Sequence, residues 1–144
     1  MGKKRIVKKG ETGTEEGAKK APVSSAPKKT VSAVILNVEA SYNNTKVVVT
    51  DTHGKVLCWS SSGSLGFTGA KKGTPFAAAK VGELLAEKAS IMGVTDVSVV
   101  VKGVGSGRES AVRGFISKGF NLISIKDATP VPFNGPRPAK PRRV

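Results

Sequence analysis

The apolar residues between positions 31 and 133 fall into seven short runs, and the order of these runs is what most constrains the fold. Five runs are short and rich in β-branched residues, as strands are, and two show the spacing of amphipathic helices. The predicted strands cover 31–39, 46–50, 55–60, 97–102 and 121–125. The predicted helices lie between Thr74 and Gly93 and between Ser106 and Gly119. The order is therefore βββαβαβ.

This order predicts an α/β fold with a mixed five-stranded sheet and two main helices. Short turns at 41–45 and 51–54 join the first three strands into an antiparallel meander. The helix between the fourth and fifth strands makes these two strands parallel neighbours or near neighbours. Because the run 31–39 is mostly apolar, we expect the first strand to be buried on both faces at its centre.

Both predicted helices begin with capping signals. Thr74 stands in the N-cap position and Pro75 in the first helical position, where proline fits best. Ser106 and Glu109 match the capping box, in which a serine and a glutamate each bond a backbone amide of the first turn.

The positive charge is concentrated at the two ends of the chain. The net charge is +14, of which +6 lies in residues 1–30 and +4 in residues 134–144, so that 31–133 carries only +4. Both ends lack the apolar side chains that a core needs. We therefore predict a flexible basic N-terminal extension (1–30), a globular RNA-binding domain (31–133) and an extended basic RNA-binding tail (134–144). Such a distribution favours a polyanionic partner, above all nucleic acid.

The composition argues against several other classes of protein. Cys58 is the only cysteine, which excludes an internal disulfide and suits a reducing cytoplasm. With His53 as the only histidine, soft ligands are too few for a zinc site, and we predict no metal and no cofactor. The sequence has no run of roughly 18 apolar residues, and its start lacks the apolar stretch of a secretion signal, so we expect no membrane contact.

The segment 102–109 is rich in glycine and lies between a predicted strand and a predicted helix. Gly103, Gly105 and Gly107 would let the backbone approach a ligand closely, and the helix start offers unpaired amides to a phosphate. The basic residues around these glycines are Lys102, Arg108 and Arg113, and a guanidinium matches phosphate oxygens well. We predict phosphate binding here, although a tight turn with positive φ angles would use the same glycines.

Three other segments are candidate RNA contacts. Lys71 and Lys72 follow a glycine-rich loop just before the first helix and can track a phosphate backbone. We expect Phe67 to anchor this loop rather than to stack on a base, and Trp59 to lie in the core or in a subunit contact. The remaining candidates are Asn43, Asn44 and Thr45, which turn chemistry alone would also explain, and Asn134, Gly135, Arg137, Lys140, Arg142 and Arg143 in the tail.

Two enzyme classes were weighed against this interpretation. Asp127 lies 20 residues after Gly107, as in dinucleotide-binding folds, but Arg108 stands where that motif needs glycine. The βββαβαβ order resembles the ribonuclease H-like fold, yet Glu39 and Asp96 are not placed to form a convincing metal-binding set with other carboxylates. We therefore predict no catalysis and no small-molecule substrate. A basic chromosomal protein or general RNA chaperone stays open as the alternative.

Several runs of residues identify a family. The chain resembles bacterial small-subunit ribosomal protein eleven over about residues 34–144, and the matching runs are 40–45, 64–69, 72–78, 101–113, 129–138 and 142–144. Val104 and Ser106 stand where that family usually has prolines, and Pro136 replaces a frequent cysteine.

The resemblance implies more than the residues do alone. It implies a ribonuclease H-like mixed sheet without catalysis, on the platform of the small subunit, where the protein bridges several helices of ribosomal RNA. It also implies contacts with small-subunit ribosomal proteins seven and eighteen, and a place beside the cleft where messenger RNA leaves. By this likeness, residues 102–113 and the tail from Asn134 would contact RNA.

Overall fold

The computed structural model describes residues 31–141, so the predicted extension 1–30 and two predicted contacts, Arg142 and Arg143, lie outside the described residues. Within this range the chain forms five strands, two α-helices and a short 3-10 helix at Gly69–Gly73. The strands are β1 (Ala33–Ala40), β2 (Thr45–Asp51), β3 (Val56–Ser61), β4 (Asp96–Lys102) and β5 (Asn121–Asp127), and the helices are α1 (Pro75–Ile91) and α2 (Gly107–Ile116). The predicted order of elements is confirmed.

The strands form one mixed sheet in the order β3-β2-β1-β4-β5. β1 pairs antiparallel with β2, and β2 antiparallel with β3. β4 lies parallel to β1 on one side and parallel to β5 on the other. The predicted meander and the predicted parallel pair are therefore both confirmed.

Burial along β1 alternates, which corrects the expectation that this strand is buried on both faces. Val34, Leu36 and Val38 are buried, whereas Ile35 and Asn37 on the other face are only partly covered. The reason is that α1 and α2 contribute to one hydrophobic core with the buried side chains of β1, on a single face of the sheet. No local property of the run 31–39 indicates how many of its faces the helices cover.

The two helices lie side by side and run in the same direction. Gly107 at the start of α2 contacts Ala78, and one turn later Ala111 faces Gly82. A Cβ atom at Gly82 would overlap the carbonyl oxygen of Ala111, so the two backbones approach closely. Because the helices are parallel, their N-termini meet at the same end of the sheet.

One of the two predicted caps is confirmed. The hydroxyl of Thr74 accepts a hydrogen bond from the amide of Ala77 (3.4 Å), and Pro75 is the first helical residue. The predicted capping box of α2 is wrong, because the Ser106 hydroxyl donates instead to the carbonyl of Gly73 (3.0 Å). That serine joins the start of α2 to the loop before α1. Among the described helices, none is long and apolar enough to cross a lipid bilayer.

Candidate nucleic-acid interface

All the segments that the sequence predicts to contact RNA leave the sheet at one end. The parallel strands β1, β4 and β5 finish there, and β2 begins there opposite the end of β1. The turn 41–44, the loop 62–74, the turn 103–106 and the tail from 128 therefore lie together with the starts of both helices. We call this part of the molecule the loop end.

The glycines of the turn 103–106 allow close packing against the chain itself. A Cβ atom at Gly103 would overlap the carbonyl oxygen of Ala40, and one at Gly105 would overlap that of Ser41. The amide of Gly105 also donates to the Ala40 carbonyl (2.9 Å). Gly107, also buried, abuts the side chain of Thr45. The space beside these glycines is filled by β1 and the turn after it, so their lack of a side chain serves packing within the chain, and their contact with RNA stays a prediction.

The residues between these glycines point outward. Lys102, Val104 and Ser106 are exposed, whereas Gly105 and Gly107 are buried. The turn thus presents a lysine and the amino end of α2 to solvent, and partial positive charge accumulates at such a helix end. A phosphate therefore fits on the outer edge of the turn, beside Lys102 and the start of α2, and not against the Cα atoms of the glycines, which face the protein.

Asn44 and the backbone of Thr45 hold the start of the loop 62–74 in place. The Asn44 side-chain oxygen accepts from the Ser62 hydroxyl (2.7 Å), whose oxygen accepts from the Thr45 amide (3.3 Å). Thr45 is fully buried, and its contact with RNA stays a prediction. Asn43 is exposed at the tip of the turn.

Lys71 and Lys72 lie in the 3-10 helix directly before α1. Lys71 is exposed and Lys72 is half-buried, and the loop 69–73 carries no acidic residue. The first turn of α1 is also without acidic residues. Two lysines therefore stand beside the positive end of one helix, and the start of the second helix is joined to the same loop through Ser106 and Gly73. This arrangement attracts anions such as phosphate groups.

Arg108 holds the turn and the start of the tail together. It donates from Nη1 to the carbonyl of Gly103 (2.9 Å) and from Nη2 to the carboxylate of Asp127. Asp127 also accepts from the hydroxyl (2.6 Å) and the amide (2.9 Å) of Thr129, whose Oγ1 accepts from the amide of Gly103 (3.2 Å). We call Arg108, Asp127 and Thr129 the clamp. Two N–H donors of Arg108 are thus already bonded within the protein, so its guanidinium has fewer donors left for the predicted phosphate contact.

The hydrogen bonds of the clamp favour the ionised form of Asp127. The side chain of Thr129, followed by its backbone amide and by Arg108, lowers the pKa of Asp127 from 3.8 to about 2. Asp127 is therefore charged throughout the physiological pH range, and the clamp persists there.

The chain leaves the clamp as an extended, exposed tail. Residues 128–141 form no helix or strand, and Arg137, Lys140 and the aromatic ring of Phe133 are exposed. Asn134 has a positive φ of 54° immediately before Gly135, so the chain bends at this pair. Arg113 lies on the exposed side of α2, 3.3 Å from Glu109.

The carboxylates of the described residues are dispersed. Glu39 pairs with Lys46 at 3.6 Å, and Asp96 accepts from the side-chain Nδ2 of Asn121 at 2.9 Å near the opposite end of the sheet. Within residues 31–141, no three His, Cys, Asp or Glu side chains lie together as ligands for a metal ion would. Nothing in these contacts favours the nuclease alternative.

Three residues that the sequence did not single out for RNA binding belong to this region. Asp127 and Thr129 form the clamp together with Arg108, and the local signal for them is an aspartate followed two residues later by threonine, a pairing common in turns. Phe76, in the first turn of α1, is 63% exposed, and its place in an apolar helical run predicted no such exposure.

The family model described as ribosomal protein S11 matches residues 34–143, which include all of the sheet except its first residue, both helices and nearly all of the tail. The chain belongs to this family. It is a structural protein of the small ribosomal subunit in the cytoplasm, and it binds the ribosomal RNA of that subunit. The resemblance drawn from the sequence is therefore confirmed.

Proposed function

We propose that the loop end and the tail bind separate stretches of small-subunit ribosomal RNA, so that the protein bridges RNA helices on the platform of the subunit. The observation that carries this proposal is the convergence of cationic segments from three parts of the sequence beside two parallel helix N-termini. The sheet and the buried glycines supply the rigid support, and the lysines supply the contacts.

The loop end is suited to phosphate groups rather than to base edges. Lys71, Lys72 and Lys102 carry flexible point charges, and the helix starts add oriented amides. Contacts of this kind fix position without reading sequence. Specificity would then come from the shape of the RNA, as is usual for structured RNA.

The tail gives the protein a second point of attachment. From Thr129 to the end of the described residues it forms no helix or strand, and a stretch of this length spans at most roughly 40 Å. It carries Arg137 and Lys140, and Arg142 and Arg143 follow in the sequence. Because the clamp fixes where the tail begins, the domain and the tail can hold two RNA elements at a defined separation.

The proposed protein partners and the place beside the messenger RNA exit cleft rest on the resemblance. The structure offers apolar surface that RNA phosphates would not need: Trp59 on β3 and Ile123 and Ile125 on the edge strand β5 are each at least 60% exposed. These two sets lie at opposite edges of the sheet, so each suits a separate protein contact. Small-subunit ribosomal proteins seven and eighteen are the proposed partners.

Footprinting on assembled small subunits tests the bridging proposal. Small-subunit RNA is probed with hydroxyl radicals in the presence of the full chain and of a variant that lacks residues 134–144. We expect two separate sets of protected positions, of which the truncation removes one and leaves the other. One continuous protected patch, lost or kept as a whole, would contradict bridging. A general polyanion binder would protect no defined positions and would not sediment with the subunit.

A further inference from the structure

Phe76 is an exposed aromatic ring held in a fixed orientation. It is the second residue of α1 and is 63% exposed. The ring of Phe67 packs edge-on against it, with centroids 6.1 Å apart and planes at 87°, and the ammonium of Lys80 lies 5.9 Å from its centre. Phe67 is itself half-buried, in agreement with the expectation that it anchors the loop. Phe67 therefore supports the ring of Phe76, which is exposed to solvent.

The surroundings of this ring are cationic. Lys71 and Lys72 precede it in the 3-10 helix, and Lys80 follows one turn later. The nearest acid along α1, Glu83, is bound to Lys80 at 2.8 Å. An apolar surface bordered by lysines and by a helix N-terminus attracts an anionic polymer that also carries flat, apolar groups. RNA has both the negative charge and the flat apolar groups, whereas an apolar protein segment lacks the charge.

We propose that an unpaired RNA base stacks on Phe76 while Lys71 and Lys72 hold the neighbouring phosphates. This rests on the proposed RNA contact of the loop end and adds the kind of nucleotide that is bound there. The base must be unpaired, because the faces of bases within a helix are covered by their neighbours. Stacking of this kind tolerates any base, since every base has a π-face.

Replacement of the ring separates stacking from simple apolar contact. Phe76→Leu keeps an apolar side chain and removes the π-face, and Phe76→Trp enlarges the π-face. We expect Phe76→Leu to bind a short single-stranded oligoadenylate about 5-fold or more weakly, and Phe76→Trp to bind at least as well as the native chain. The salt dependence of binding should be the same in both, because neither change removes a phosphate contact. Trp59→Leu, at a ring of similar exposure on β3, is the matched control and should not weaken binding.

A base analogue reports the stacking directly. With 2-aminopurine in the oligonucleotide, the native chain and Phe76→Trp should quench its fluorescence on binding, and Phe76→Leu should not. The proposal is overturned if Phe76→Leu binds and quenches like the native chain, or if it weakens duplex and single-stranded RNA equally. It is also overturned if Phe76→Leu keeps RNA binding but loses assembly into the subunit, since the ring would then contact a protein. Native chain that shows no salt-dependent binding to ribosomal RNA would instead refute the RNA contact of the loop end itself.

Discussion

The electrostatic role of the loop end can be tested by removing two of its charges. In the double variant Lys71→Gln and Lys72→Gln, both side chains keep most of their length and lose their charge. Lys71 is exposed and Lys72 is only half-buried, and neither belongs to the hydrophobic core. We therefore expect the variant to fold normally and to lose two phosphate contacts.

The size of the effect follows from the cations proposed to contact RNA, without Arg108, which is bonded in the clamp. Those in the described residues are Lys71, Lys72, Lys102, Arg113, Arg137 and Lys140. At roughly −0.7 per contact with single-stranded RNA, a plot of log affinity against log salt should have a slope near −4 or steeper. Loss of two contacts should reduce it to about −2.8. A fourfold rise in salt would then weaken the native chain, with six contacts, about 340-fold and the variant, with four, about 50-fold.

Filter binding to small-subunit ribosomal RNA over a salt series measures both slopes. The matched control is Lys55→Gln with Lys88→Gln, which removes the same net charge from the opposite end of the domain, where α1 ends and β2 turns into β3. Its slope should equal that of the native chain. If the two double variants change the slope equally, the interaction depends on net charge alone and the loop end has no special role.

Three further predictions follow from the tail, the clamp and the helix contact. Deletion of residues 134–144 should weaken binding to ribosomal RNA. The melting temperature should stay nearly unchanged, because the described part of this tail is exposed. Unfolding of the truncated chain would show instead that the tail stabilises the fold. Asp127→Asn should destabilise the domain at neutral pH. The difference in unfolding free energy from the native chain should vanish as the pH falls from about 3.8 to about 2, because a carboxylate with a lowered pKa loses its stabilising contribution when it is protonated. A difference that persists at the lowest pH in urea denaturation would count against the clamp. Gly82→Ala should lower the free energy of unfolding by about 1–3 kcal/mol, because the added methyl group would push α1 away from α2. The control Gly63→Ala should lower it little, because a Cβ atom there meets only ordinary contacts. Equal losses in the two variants would contradict the close helix contact.

The sequence by itself determined the order of the elements and the separation of charge. Runs of β-branched residues and the helical spacing after Pro75 reflect preferences that depend on neighbours a few residues away. The Thr74 cap is local in the same sense, since its hydroxyl reaches an amide three residues on. The family could also be identified from short runs of residues, and the matched region agrees with them.

The tertiary structure decided how these parts are used. Gly103 and Gly105 are required because β1 and the turn after it, about 60 residues earlier in the chain, lie against them. Ser106 bonds Gly73 rather than its own helix, because the sheet order brings the two helix starts together. In the same way Arg108 reaches Asp127. Contacts between residues so distant in sequence depend on strand order and register, and no local pattern contains that information.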